Sequence, residues 1–162
     1  MGAALFADIA AILLVFGFAL TLGAQAFDTF VNVPVFFSDP PRSIADYRTW
    51  PTSERVPLYF VRAMVLVILG ILAATGALFV HRGSFALVAA DICALVYIAL
   101  VFLVFVPINR RLGFLPGGKE AEAGDTPRLA RHWRTWNAVR LFVQALGLGA
   151  AAVSLAASSG RP

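Results

Sequence analysis

The chain has 162 residues, of which 60% are hydrophobic and only 14% charged, and its formal net charge is +4. A water-soluble domain is nearer half apolar and one quarter charged, so the composition excludes one and describes an integral membrane protein. The length holds a single compact domain.

Four apolar runs are long enough, at about 18 residues or more, to cross the hydrocarbon layer. They cover about 3–27, 56–80, 84–106 and 137–158, and they predict an all-α bundle of four transmembrane helices. Long loops are expected over 28–55 and 107–136. Ala24-Gln25-Ala26 resembles a signal-peptide cleavage site, but the preceding run lacks Lys and Arg and carries Asp8, so it reads as a retained helix. The sequence pI near 10.0 invites a nucleic-acid reading. The basic residues instead crowd the two long loops, Arg42, Arg48 and Arg55 in the first and Arg110 through Arg134 in the second. The positive-inside rule then places both loops in the cytoplasm, in a bacterial membrane, and both termini outside. Cys93 stands alone, which removes an internal disulfide, a CxxC pair and a thiolate zinc site.

One pattern occurs twice. Helix one runs into Asn32-Val33-Pro34 and helix three into Pro107-Ile108-Asn109. Each is followed by an aromatic-Arg-Thr-Trp tetrad, Tyr47 to Trp50 and Trp133 to Trp136, and then by Val-Arg, at Val61-Arg62 and Val139-Arg140. Helices one and three point the same way, so this is the pattern of a helical hairpin duplicated in parallel, with loops that have drifted in length. Proline lacks an N–H and disfavours helix before it, so Pro34 and Pro107 are expected to end their helices. Trp50, Trp133 and Trp136 fit an interfacial aromatic belt, and the stretch from Pro116-Gly117 to Thr126-Pro127 reads as a loop tip. Gly70 with Ala74, and Gly147 with Ala151, provide small-residue contacts between helices.

Asn137, Arg140 and Gln144 share one face of the fourth helix, and Tyr59 and Arg62 one face of the second. Each arginine either snorkels to headgroups or lines a polar cleft. Recurrence at matching places favours a cleft, to which Asn32 and Asn109 would add amides. Two guanidiniums among amides suit a phenolate or enolate. Asp91 lies about 24 Å from the Pro107 end at 1.5 Å per residue. It is too far to pair with either arginine and near Thr75 and Ser154 in depth. Proton handling and a structural hydrogen bond are its two readings. His81 and His132 are expected at opposite ends, too far apart to share a metal ion.

Val106-Pro107-Ile108-Asn109-Arg110-Arg111-Leu112, followed by Trp133-Arg134-Thr135-Trp136-Asn137-Ala138-Val139-Arg140, resembles the anthrone oxygenase-like family of small four-helix membrane proteins. The resemblance implies oxidation of an anthrone to an anthraquinone with O2 as co-substrate; once deprotonated, such a substrate can react with O2 without a cofactor. In such a site Arg62 and Arg140 would stabilise the enolate, with Asn32, Asn109, Trp136, Asn137 and Gln144 around the substrate. Ala138 stands where many relatives carry histidine, leaving Tyr59, His132 and Asp91 as candidate bases. Two other readings compete. One is a non-enzymatic module that binds, moves or scaffolds a lipophilic molecule. The other is a metal-dependent oxidase taking iron or copper on Asp8, His81 or Asp91. The expected partners are a lipophilic small molecule and the bilayer, with no nucleic acid, and a homo-oligomer is compatible with the sequence.

Overall fold

The computed structural model describes residues 2–49, 55–79, 84–115 and 121–159. Trp50, His81 and Lys119 lie outside these residues. The described chain is helical. α1 (Gly2–Phe27) passes through a π-helical turn, Asp28–Asn32, into α2 (Val33–Phe36). α3 (Arg42–Arg48) is short, and α4 (Arg55–Phe79) crosses back. α5 (Phe85–Leu100) passes through a second π turn, Val101–Phe105, into α6 (Val106–Arg111), and α7 (Thr126–Ser159) closes the bundle. Four stretches are long and apolar enough to span a membrane: Leu5–Phe36, Leu58–Phe79, Phe85–Arg111 and Thr126–Ser158. The molecule is an integral membrane four-helix bundle.

The helices run further at the arginine-rich end than the apolar runs suggest. Pro34 and Pro107 do not end their helices. In both places a π turn precedes the proline, with Val33 N–H donating to the Asp28 carbonyl and Val106 N–H to the Val101 carbonyl. Widening the turn by one residue makes room for the pyrrolidine ring and spends no N–H that the proline lacks. Much of the expected second loop is helix too, because α7 begins at Thr126 rather than near Asn137. Pro127 sits in its first turn, where a fixed φ favours a helix start, and Thr126 Oγ1 donates to the Glu122 carbonyl at 3.1 Å.

α1 packs along α4 and α7, and α5 along α7 and, over a shorter length, α4. Close approach comes from glycine notches that receive α1 side chains. A Cβ at Gly70 would strike Leu14, and one at Gly147 would strike the Phe18 ring. Leu14 and Phe18 are one turn apart and fully buried, so α1 keys into both neighbours at once.

The arginine-rich end carries a second apolar core, built from Val33, Phe36, Phe37, Ile44, Phe105 and Trp133 among others. Trp133 is thus buried between Phe37 and Phe105 rather than interfacial. The tetrad arginines cross between the two halves. Arg48 donates to the carbonyl of Leu112, the C-cap of α6. Arg134 donates at 3.1 Å to the carbonyl of Phe37, the C-cap of α2. Each supplies positive charge to a helix C-terminus whose carbonyls have no intrahelical partner.

α6 ends in a Schellman turn: Gly113 N–H donates to the Arg110 carbonyl at 3.2 Å and Phe114 N–H to the Asn109 carbonyl at 2.8 Å. Gly113 has φ +75°, and a Cβ there would fall on the Arg48 guanidinium. Gly113→Ala is therefore expected to cost about 1–2 kcal/mol from the left-handed backbone alone. Thermal unfolding should drop by roughly 2–8 °C, and an unchanged midpoint would contradict the turn.

Candidate functional site

A cavity of about 400 Å³ lies where the two cores meet. That volume falls in the range of sites for drug-sized ligands. Its walls are mostly aromatic and aliphatic, with Phe60, Met64, Phe102, Phe105 and Trp133 prominent. The polar groups reaching it are few: Gln25, Asp28, Tyr47, Tyr97, Asn109 and Arg140.

Arg140 organises the site. It is only 8% exposed, and its guanidinium lies over the Phe105 ring at 3.7 Å from the centroid, with Trp133 at 5.9 Å. One nitrogen, Nη2, donates to Asn137 Oδ1 at 2.7 Å. Asn137 is itself fixed: the same oxygen accepts Gln25 Nε2 at 2.6 Å, and its own Nδ2 donates to Thr29 Oγ1 at 2.6 Å. Thr29 Oγ1 donates in turn to the Gln25 carbonyl at 2.6 Å. This network ties α7 to α1 and holds the guanidinium over Phe105. Arg140 Nε finds no hydrogen-bond partner among the described residues, nor does any described carboxylate make an ion pair with Arg140. A buried cation without a contact anion is costly, and a ligand anion would complete it.

Asp28 lies on the cavity wall within coulombic reach of Arg140. It sits at the head of the first π turn, where Asn32 Nδ2 donates to its Oδ1 at 2.6 Å. Tyr47, on α3, packs on Phe36 at 3.9 Å between centroids and edge-on to Phe114 at 5.3 Å. Burial pushes the Tyr47 phenol above its usual pKa, and the negative charge of Asp28 adds to this, so Tyr47 stays protonated near neutrality. Asn109 accepts Trp133 Nε1 at 2.9 Å through Oδ1, which leaves its amide nitrogen as the donor it can offer the cavity.

The sequence-derived candidates separate into two groups. Arg140, Asn137, Asn109 and Asn32 all belong to the cavity or its support. Gln144 is fully buried one turn deeper on α7, with both amide atoms unpartnered among the described residues, and is not on the cavity wall. Arg62 is exposed on the outside of α4. Tyr59 is also on the outer surface, donating to the Leu20 carbonyl at 3.1 Å. His132 is exposed on α7 and pairs with the half-buried Trp136, whose Nε1 donates to His132 Nε2 at 3.1 Å, and neither lines the cavity. Asp91 is buried toward the far end, where Thr75 Oγ1 donates to Oδ2 at 3.3 Å. Ser154 bonds Ser84 instead. Geometry therefore gathers one arginine rather than two, and none of the three candidate bases. Among the described residues no three His, Cys, Asp or Glu side chains come together.

Gln25, Asp28, Tyr47 and Tyr97 are the polar cavity groups that sequence reasoning passed over. A signal existed for Asp28. It is the acid four residues before Asn32, at the polar end of an otherwise uncharged stretch from Ile9 to Phe27.

The fold and the site together define a four-helix transmembrane bundle with an aromatic-walled cavity and one buried arginine. The sequence model of the family described as anthrone oxygenase matches residues 57–153, and the chain belongs to that family. No curated protein and no solved structure matches the chain. Arg140, Asn137, Asn109 and Trp133 lie inside the matched segment, and Asp28 and Gln25 precede it.

Proposed function

We propose that the protein is a membrane oxygenase that oxidises an enolisable, anthrone-like aromatic with O2. The observation that carries this reading is the Arg140 guanidinium, buried on Phe105 without a contact anion and facing a cavity that also holds Asp28. Arg140 and the amide of Asn109 bind the ketone oxygen, and Asp28 takes a proton from the methylene carbon. The resulting enolate is flat and electron-rich and matches a cationic, aromatic-walled site. It passes one electron to O2, and the radical pair joins at carbon. Asp28 returns its proton to the peroxide anion, giving a hydroperoxide. Loss of the second C–H proton with departure of hydroxide leaves the quinone carbonyl and one water. One O2 is consumed, one oxygen atom entering the product and one leaving as water. The positive-inside rule sets the arginine-rich end in the cytoplasm.

The test is conversion of an anthrone by the purified protein under isotopically labelled dioxygen, against spontaneous oxidation as background. One labelled oxygen per quinone, formed well above background, is the expected result. Background rates from folded protein across several anthrones would overturn the reading in favour of a binding or transport module.

The support for Arg140 gives a further expectation. Asn137→Leu removes the acceptor shared by Gln25 Nε2 and Arg140 Nη2 and the donor to Thr29 Oγ1, which keeps only its own bond to the Gln25 carbonyl. The bundle should lose about 1–3 kcal/mol for each buried group left unpaired. Unfolding in mixed detergent measures this, and a loss under 1 kcal/mol would mean that the network is not a fixed support.

A further inference from the structure

We infer that the cavity opens sideways into the hydrocarbon layer, through a split between α4 and the second π turn, and takes a neutral planar lipophile directly from the bilayer. α4 and α5 are joined where Thr75 bonds Asp91. Followed toward the arginine-rich end, α4 packs on α5 but has little or no contact with Val101–Phe105 or with α6 among the described residues. The two walls part where the regular helix gives way to the π turn, and the cavity fills the space between them.

The residues along this split belong to the cavity wall and to the outer surface at once. Val61 is 59% exposed, Val65 49%, Ile68 41% and Phe102 56%, and all four line the cavity. They fall within the spans Leu58–Phe79 and Phe85–Arg111, so their outer side meets lipid tails. These rim side chains are all apolar. The arginine-rich end is covered by contrast: Tyr47 of α3 packs on Phe36 and Phe114, and Arg48 ties α3 to Leu112. A charged molecule would shed its hydration to cross an apolar rim, so the ligand enters uncharged. That it then ionises between Asp28 and Arg140 rests on the proposed oxidation; the portal itself does not.

Accessibility of a nitroxide in the cavity tests this without any assay of turnover. The label is placed at Met64→Cys in a Cys93→Ala background, in nanodiscs, and its collisions with O2 and with a water-soluble nickel chelate are compared. Val101→Cys on the opposite wall repeats the measurement should the first variant fold poorly. A label at Leu72→Cys, on the outer face of α4 and 65% exposed, is the lipid reference. The expected result is an O2-to-nickel ratio within about twofold of that reference. A ratio favouring nickel would mean that the cavity opens to water, and low collisions with both would mean that it is sealed; either overturns the portal. Anthraquinone added as a neutral planar probe should then lower O2 collisions at Met64 severalfold. No protection beside a lipid-like ratio would overturn the ligand class and the oxidation together, with the lateral opening upheld.

Discussion

Arg140→Met is expected to remove about 10²–10³-fold of kcat/KM for anthrone oxidation, the usual loss when one oxyanion-stabilising group is deleted from a dry site. Methionine approximates the length and apolar body of the arginine, and no buried charge is left behind, so the bundle stays folded. The change unpairs one acceptor position on Asn137, which still holds Gln25 and Thr29. Arg140→Lys is the sharper variant. It keeps the charge but not the planar fork, which sits over Phe105 while one of its nitrogens reaches Asn137. It should recover only a small part of the lost rate. Binding separates the roles: neutral anthraquinone should bind Arg140→Met nearly as well as the unaltered protein, while an ionised hydroxyanthraquinone should lose at least tenfold. Equal losses for both ligands would mean that Arg140 shapes the cavity rather than stabilising an anion.

The legible part of this molecule was what hydropathy and local spacing control. Four spans follow from four apolar runs, because no other structure lets a chain of this composition satisfy its backbone in lipid. Asn137 and Arg140 were legible as a pair because i and i+3 share a face and both are polar in a membrane. Arg62 looked equivalent to Arg140 by motif, yet it faces outward. A Val-Arg dipeptide fixes position along a helix but not rotation about its axis, and rotation is set by the Leu14 and Phe18 contacts on Gly70 and Gly147. The helix ends were misread at Pro34 and Pro107 because a π turn can absorb a proline that an α-helix cannot. The same π turns place Asp28 at the cavity and open the α4 seam.

Asp28→Asn is expected to lower kcat by about 10²–10⁴, the range of a positioned general base. The substitution is nearly isosteric and leaves an oxygen to accept from Asn32, so the π turn should persist. Its signature lies in the pH profile and the isotope effect. The unaltered protein should gain rate as the carboxyl ionises and then level off. The asparagine variant should keep rising with pH, because hydroxide must then remove the carbon-bound proton. Deuteration of the substrate methylene should slow the variant more than the parent, since proton removal becomes the slow step. Loss of rate with an unchanged profile would sink the role of Asp28 as base. The location of Asp28 gives the result wider reach. It precedes residues 57–153, the segment that the family model matches, whereas Arg140 lies within it. If both variants behave as expected, the matched segment supplies the anion-binding half of the site, and the first helix supplies the proton acceptor.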